Sequence, residues 1–450
     1  MSNIMTPTPE QRAKWVRRAI FAGVIGTTIE WYDFVLFGTA SALVFNTLFF
    51  PKFDPLMGTA AALTTTAIGY FFRPLGGFVF GALGDRIGRK NVLAATLVLM
   101  GVSTALIGML PTYAQAGIWA PILMLLLRIL QGIGAGAEFG GAQVMVSEHA
   151  SKKRQGLLTS LPGAGLALGI MLGTSFYSLL DFMPKDDFMA YGWRLPFLAS
   201  VIGIGVGLFI RMRVMESPEY AAVTRAKAKP KSPIREVFAS YPRNWFVAMF
   251  ACFAENATTN LVKTFVLAYA ATFLHLDKSI GLNGLFIAAL VSLFTYPFFG
   301  WLGDRLGISR VYIGSAVAVA LFIFPMFWMI DTKVVPVVLT AIVIIYAIAV
   351  RGMSATQGAY LANLFPTHIR FTGLASAREV GSAISGGIGP VVATLLLAAT
   401  NSYWPVALYM ISQAAITIVA VWIGPSKRKP LEDAAVEQAG ASSAQVAHLQ

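Results

Sequence analysis

The chain has 450 residues, of which 56% are hydrophobic and 12% charged, where a soluble domain carries roughly 25% charged residues. With a mean hydropathy of +0.68, this excludes an ordinary soluble enzyme, a disordered protein and a disulfide scaffold, and the single cysteine, Cys252, allows no intramolecular disulfide. A net charge of +13 would suggest nucleic acid in a soluble protein, but here the basic residues must first be placed relative to membrane spans.

A hydrocarbon core about 30 Å thick needs roughly 20 apolar helical residues. The sequence predicts twelve such runs, over 19–46, 57–83, 92–111, 118–146, 156–180, 193–211, 244–274, 280–302, 311–330, 334–360, 372–398 and 402–424. The first follows Arg12, Lys14, Arg17 and Arg18, is too long for a signal h-region and lacks a small-residue cleavage site. It therefore reads as a retained helix. No alternation of the outer-membrane barrel kind appears. Twelve spans put both termini and every even-to-odd loop on one side. That side carries 24 of the 34 Lys and Arg residues, the other side five, and five more (Arg73, Arg128, Lys263, Arg351 and Arg378) fall inside spans. Such a split places both termini in the cytoplasm. The positive charge is then a matter of topology, and nucleic-acid binding loses its motivation.

The octet from Gly81 to Gly88 recurs from Gly300 to Gly307 with six identities, at an offset of 219 residues. A second echo pairs Glu148…Arg154-Gln155-Gly156 with Asn363…Arg370-Phe371-Thr372-Gly373. The chain is thus predicted to be two six-helix, pseudo-symmetric halves. The expected organisation is a cytoplasmic tail over 1–18, one half over 19–211, a solvated basic linker over 212–243, the second half over 244–424 and a disordered tail over 425–450.

On these residues the chain resembles the major facilitator superfamily over essentially its whole length, because Gly81–Lys90 (GALGDRIGRK) matches that superfamily's loop signature between spans two and three. Ile29-Glu30-Trp31-Tyr32-Asp33-Phe34, Arg73-Pro74, Arg128-Ile129-Leu130-Gln131-Gly132, Glu216-Ser217-Pro218 and Leu364-Phe365-Pro366 look like the metabolite:proton symporter family. The resemblance implies an all-α membrane carrier that takes organic acids or zwitterions together with protons. It also implies a central cavity lined by spans one, four, seven and ten. Asn363, and the pair Arg378-Glu379, depart from the family's usual residues at their positions.

An ionisable residue at the bilayer centre costs at least about 2.5–3.5 kcal/mol, so each needs a partner, a wet cavity or a role. Five carboxylates join the five intramembrane cations: Glu30, Asp33, Glu138, Glu255 and Glu379. Helical spacing groups Glu30 with Asp33 on span one, Arg128 with Gln131 and Glu138 on span four, and Glu255 with Thr259 and Lys263 on span seven, beside Asn256 and Asn260. On span eleven Arg378 shares a face with Ser382 and Ser385, while Glu379 points about 100° away. Spans three, six, nine and twelve are expected to be nearly charge-free supports. Carboxylates in a partly desolvated site are candidate proton carriers. Asp33, with Glu30 beside it, is expected to take up the transported proton, with Arg128 as its switchable partner; the other reading is a static pair joining two helices. The pairing of an aspartate in span one with an arginine in span four is also what the resemblance to sugar porters implies. Tyr32, Arg73, Arg128, Gln131, Glu138, Glu255, Asn256, Asn260, Lys263, Arg351 and Arg378 are the candidate substrate contacts, with Lys263 open to neutralisation by Glu255 and Arg73 to snorkelling or pairing with Asp33. Asp85, Arg86, Gly88, Arg89, Glu148, Arg154, Asp304, Arg305 and Arg370 are the candidate gate. There an aspartate can accept backbone N–H bonds at a helix start, and the second copy, lacking the paired basic residues, is expected to latch more weakly.

Gly132-Ile133-Gly134-Ala135-Gly136 is read as helix packing, not a nucleotide loop, and Gly165, Gly169 and Gly173 as the same device. No metal or catalytic spacing emerges around the four histidines. The sequence therefore predicts a carrier and not an enzyme, a monomer in the bacterial inner membrane among lipids, with no cofactor beyond the proton. It is expected to import a small organic anion such as a di- or tricarboxylate, a 2-oxo acid or a shikimate-like acid. The alternative substrate is a zwitterion such as proline or betaine.

Overall fold

The computed structural model describes residues 9–51, 55–225, 232–266, 269 and 277–424; the tails over 1–8 and 425–450 and the middle of the linker lie outside the described residues. Among the described residues there are no strands, and eleven helices are long and apolar enough to cross a membrane. Span one begins earlier than the hydropathy suggests, running as Pro9–Ala40 and on through short helical turns to Leu48. Spans two and three are Pro55–Ile87 and Arg89–Met109. Span four is two helices, Trp119–Ala135 and Glu138–His149. Spans five and six are Gln155–Leu180 and Leu195–Met212. Span seven starts as Pro242–Ala251 and Phe253–Leu261 and passes into a π-turn, Val262–Val266. Span eight is Lys278–Leu306, span nine Ile308–Asp331, and span twelve Trp404–Ile423. Spans ten and eleven each carry a π-segment, Ile344–Ala349 and Ala383–Gly387, between α-helical pieces; such bulges recur at functional positions in helices.

The two loops of the repeat turn alike. Gly88 (φ 109°) and Gly307 (φ 102°) separate spans two and three and spans eight and nine, a backbone region that L side chains avoid and glycine tolerates. Spans two and four approach to backbone contact: a Cβ on Gly136 would lie 2.0 Å from the Arg73 carbonyl oxygen, and one on Gly132 would lie 2.2 Å from that of Gly69. Gly165, Gly169 and Gly173 likewise bring span five onto the backbone and side chains of span one. These glycines pack helices, as small residues do in membranes.

Two features differ from the sequence expectation. The linker is not simply solvated. It forms helices Pro218–Arg225 and Pro233–Ser240, and its Glu216 carboxylate accepts the backbone N–H groups of Arg89 (3.2 Å) and Lys90 (3.3 Å) at the start of span three. Arg211, at the end of predicted span six and outside the five predicted intramembrane cations, is a buried charge too. The residue is 4% exposed and both its guanidinium Nη atoms bond to Glu138. Hydropathy placed Arg211 at a span edge because it cannot register a charge drawn inward by a buried partner.

Candidate functional site: a central cavity and two cross-half latches

The halves meet along two seams, spans two with eleven and spans five with eight. A small cavity of about 20 Å³ lies between them, room for one or two water molecules. Arg73, Glu255, Asn256, Asn260, Arg378 and Tyr296 contribute its polar wall, and Trp31, Tyr70 and Phe139 its aromatic wall. The wall draws on both halves. A site for an organic ligand takes about 300 Å³ or more, so this is the protein closed on itself.

Around the cavity the buried charges fall into three classes. In the first, Arg73 Nη2 donates to Glu30 Oε1 (2.7 Å) and Arg73 Nε to Glu379 Oε2 (2.7 Å), while Glu379 Oε1 receives Arg378 Nη1. Arg73 thus joins Glu30 rather than Asp33, and Glu379, expected to point away from Arg378, is bonded to it. In the second, Glu138 is tied off inside the first half by Arg211 and by the Thr96 hydroxyl (3.1 Å). The break at Gly136 and Ala137 divides span four into two helices, so Glu138 does not share the stripe of Arg128 and Gln131 and is not a cavity residue. Tyr32 is also turned aside, its hydroxyl donating to the Pro196 carbonyl (2.9 Å).

The third class has no ion pair. Arg128 lies over the rings of Phe37 (4.2 Å) and Phe34 (4.7 Å), donates Nη1 to Gln131, and leaves Nε and Nη2 without partners. Asp33 accepts the Thr104 hydroxyl at Oδ2 (2.6 Å), and Gln131 Nε2 donates to that same hydroxyl oxygen (2.7 Å). Asp33 and Arg128 therefore communicate through Gln131 and Thr104 instead of by the direct pair expected from the sequence. Arg351 Nη1 donates to the Tyr296 hydroxyl (2.7 Å) and Nε to the Tyr346 carbonyl (2.8 Å), leaving Nη2 unpartnered. Lys263 Nζ sits 3.8 Å from the centre of the Trp31 ring across the half boundary, and is also unpartnered. Glu255 does not neutralise it; that carboxylate accepts the Ser354 hydroxyl (2.9 Å) and keeps one oxygen unpartnered. Asn256 and Asn260 donate to carbonyls one turn back, of Cys252 and Asn256, on the cavity wall.

At the loop end both repeat aspartates cap a helix of the opposite half. Asp85 accepts the N–H groups of Phe371 (3.3 Å) and Thr372 (2.8 Å) and the Thr372 hydroxyl (2.6 Å). Asp304 accepts those of Gly156 (2.6 Å) and Leu157 (2.9 Å). Arg89 pairs with Asp85 (3.2 Å) and Glu148 (3.3 Å), and Arg370 with Glu148 (3.2 Å) and with Glu219 of the linker. Of the remaining candidate gate residues, Arg86 and Arg154 are exposed, and the Arg305 guanidinium lies over the Trp301 ring of its own helix at 5.0 Å.

Several participants carried no sequence signal of their own. Thr96, Thr104 and Arg211 come from spans three and six, expected to be supports, and Glu216 and Glu219 from the linker. Tyr296 had none either, since the repeat register sets it 219 residues after Gly77, an unlike residue.

The family model described as Major Facilitator Superfamily matches residues 25–370 and 264–449. The chain belongs to the major facilitator superfamily. It is 36% identical to the shikimate transporter of Escherichia coli (strain K12), over 89% of this chain and 92% of that one. It is 30% identical to the proline/betaine transporter of the same organism, over 93% and 85%. Its fold matches that of the proton:xylose symporter XylE bound to 6-bromo-6-deoxy-D-glucose with a TM-score of 0.73, at 17% identity, covering 91% of this chain and 95% of that one. This superfamily member is a multi-pass membrane transporter and not an enzyme.

Proposed function

We propose that this transporter imports a small organic anion together with protons, by alternating access, as a monomer in the inner membrane of a bacterium with both termini cytoplasmic. The observation that carries the reading is the third class of charge: Arg128, Lys263 and Arg351 stand next to the cavity wall, desolvated and without a carboxylate. Burying an unpaired cation costs several kcal/mol, and an incoming carboxylate relieves that cost. Counting Arg211, six cations face five carboxylates in the membrane (Arg73, Arg128, Arg211, Lys263, Arg351 and Arg378 against Glu30, Asp33, Glu138, Glu255 and Glu379), a balance that favours a negatively charged load. The two unpartnered nitrogens of Arg128 offer a bidentate seat. Asp33, with one unpartnered oxygen and a hydroxyl–amide relay to Arg128, is the proton carrier in this reading. Carboxylate binding at Arg128 neutralises the cation on the far side of that relay, and Asp33 then takes up a proton at its unpartnered oxygen. The relationship to the shikimate transporter supports the anionic load. The zwitterionic reading is supported by the free oxygen of Glu255 on the cavity wall and by the proline/betaine relative.

The test is substrate-driven alkalinisation outside proteoliposomes, with shikimate-like acids, di- and tricarboxylates and betaine offered in turn. An anion that is taken up with protons and loses binding on esterification supports the reading; uptake indifferent to esterification overturns the anionic seat. Asp33→Asn is expected to abolish uphill accumulation while counterflow exchange persists, and unchanged accumulation removes Asp33 from coupling. Moving one charge through 100 mV is worth about 2.3 kcal/mol, roughly 50-fold in concentration, which sets the size of the loss. Arg128→Ala is expected to weaken substrate binding at least about tenfold, the scale of one charged hydrogen bond.

A further inference from the structure

We propose that the buried chain Glu30–Arg73–Glu379–Arg378 is a lock between the halves, built to part at Arg73–Glu379 into two neutral ion pairs. The inference rests on the alternating-access reading above, since it assigns these residues to the step in which the Asp85 and Asp304 end opens. Each of the four is at most 6% exposed. Glu30 and Arg73 belong to the first half, Glu379 and Arg378 to the second, and only the central contact crosses between them. The remaining cross-half ion pair among the described residues, Arg370–Glu148, lies at the loop end.

The seam makes this contact part when the loop end opens. Spans two and eleven run antiparallel, and between the lock and Asp85 their backbones touch. A Cβ on Gly77 would lie 2.9 Å from the Ala375 carbonyl oxygen, and one on Gly81 would lie 2.9 Å from the Thr372 Cα. Separating the helices there draws Arg73 away from Glu379. A buried charge stripped of its only partner is far costlier than one whose partner is retained. Here nothing is stripped: Arg73 keeps Glu30, with the Phe34 (5.1 Å) and Tyr70 (5.7 Å) rings beside it, and Glu379 keeps Arg378. Arg378 in turn is held within its own half by Gln357 (3.1 Å), and gives up only its stacking on Phe139 (4.5 Å).

The arrangement has a consequence that a static structural cluster lacks: the two members of the Arg378–Glu379 pair act in opposite directions. Glu379→Gln removes the contact that closes the seam, while the Arg378–Glu379 pair is lost from the closed and open forms alike, so the open form gains relative to the closed one. Arg378→Gln leaves the Arg73–Glu379 contact in place and makes Arg73 the sole partner of Glu379. Opening then strands a carboxylate, and the closed form gains.

The experiment is a distance measurement by pulsed electron resonance on the full chain in lipid nanodiscs. Spin labels are placed through Ile87→Cys and Leu306→Cys, both exposed ends of spans two and eight, in a Cys252→Ser background. The ratio of long to short distances is expected to rise about tenfold in Glu379→Gln and to fall by a similar factor in Arg378→Gln, the scale of one charged hydrogen bond. Arg378→Lys is expected to return it toward wild type. Where Glu379→Gln fails to fold, Glu379→Asp, which keeps the charge on a shorter arm, is expected to move the ratio the same way by less. Shifts of the same sign in the Glu379 and Arg378 variants, or no shift in either, overturn the lock while leaving alternating access intact. A wild-type chain with one distance under every substrate and pH overturns the alternating-access reading itself, and the lock with it.

Discussion

The seam of spans two and eleven and the seam of spans five and eight join the same two halves with the same backbone device and different side chains. In both, an aspartate of the repeated loop caps a helix start across the boundary, Asp85 on Phe371 and Thr372 and Asp304 on Gly156 and Leu157. Behind the cap both run through glycine: Gly81 on Thr372 in one, Gly300 on Gly156 and Ser160 in the other. One step deeper they diverge. The first seam ends in the Arg73–Glu379 ion pair, whereas the second packs the Tyr296 ring on Gly163. Ser292, 219 residues after Arg73, only donates to the Ala288 carbonyl of its own helix (2.6 Å). The comparison teaches that internal repetition preserves what the backbone must do at a hinge and releases the side chains around it. If the proposed lock holds, one seam opens by redistributing charge and the other by separating an aromatic ring from a glycine.

The caps are the place to break that symmetry. Asp85 is fully buried and has Arg89 and a hydroxyl as well as two N–H groups, whereas Asp304 is half-buried and has two N–H groups. Asp85→Asn strands Arg89 between fewer anions and removes the charge facing the start of span eleven. Losing a buried charge partner of this kind costs about 3–5 kcal/mol. The closed form is expected to lose most of its population on the Ile87–Leu306 distance, with uptake reduced by two orders of magnitude or so. Asp304→Asn gives up one helix-capping charge, about 1–2 kcal/mol, so a shift of about tenfold is expected on the same distance. Equal effects of the two substitutions would show that burial and the Arg89 network add nothing to the first latch.

The helical, repeated architecture was legible in the sequence because apolar length and the offset of 219 each report a global constraint that one residue cannot disguise. The latch aspartates were legible for the same reason, since Asp85 and Asp304 occupy one position of a repeated octet. Pairing was not. Helical spacing states which residues share a face and is silent on what the neighbouring helix presents, so Arg73 could be assigned to Asp33 when it meets Glu30 and Glu379. Arg211 falls outside the five intramembrane cations read from the sequence because its partner Glu138 lies 73 residues away. Helical spacing sets Glu138 on the stripe of Arg128 because the break at Gly136 and Ala137, where span four meets the span-two backbone, has no hydropathy signal. The linker helices were hidden by composition: a Lys- and Pro-rich stretch reads as solvated whether or not Glu216 and Glu219 dock beside it.

The finest distinction between the seams is a single hydroxyl. Thr372 gives Asp85 both its N–H and its Oγ1–H, while Leu157, the second N–H donor to Asp304, has no hydroxyl to give. Thr372→Val keeps the shape, the β-branching and the backbone bond and removes only the side-chain donor. The loss is about 1.5–3 kcal/mol for a hydrogen bond to a charged group, toward the lower end here because three other donors remain on Asp85. A rise of roughly tenfold in the open population is therefore expected, smaller than in Asp85→Asn, and the increments of Thr372→Val and Asp85→Asn are not expected to add, since both act on one carboxylate. If the double variant shifts the distance by the sum of the two, Thr372 acts through something other than Asp85, and the extra strength of the first latch has to be sought in Arg89 and Glu148 instead.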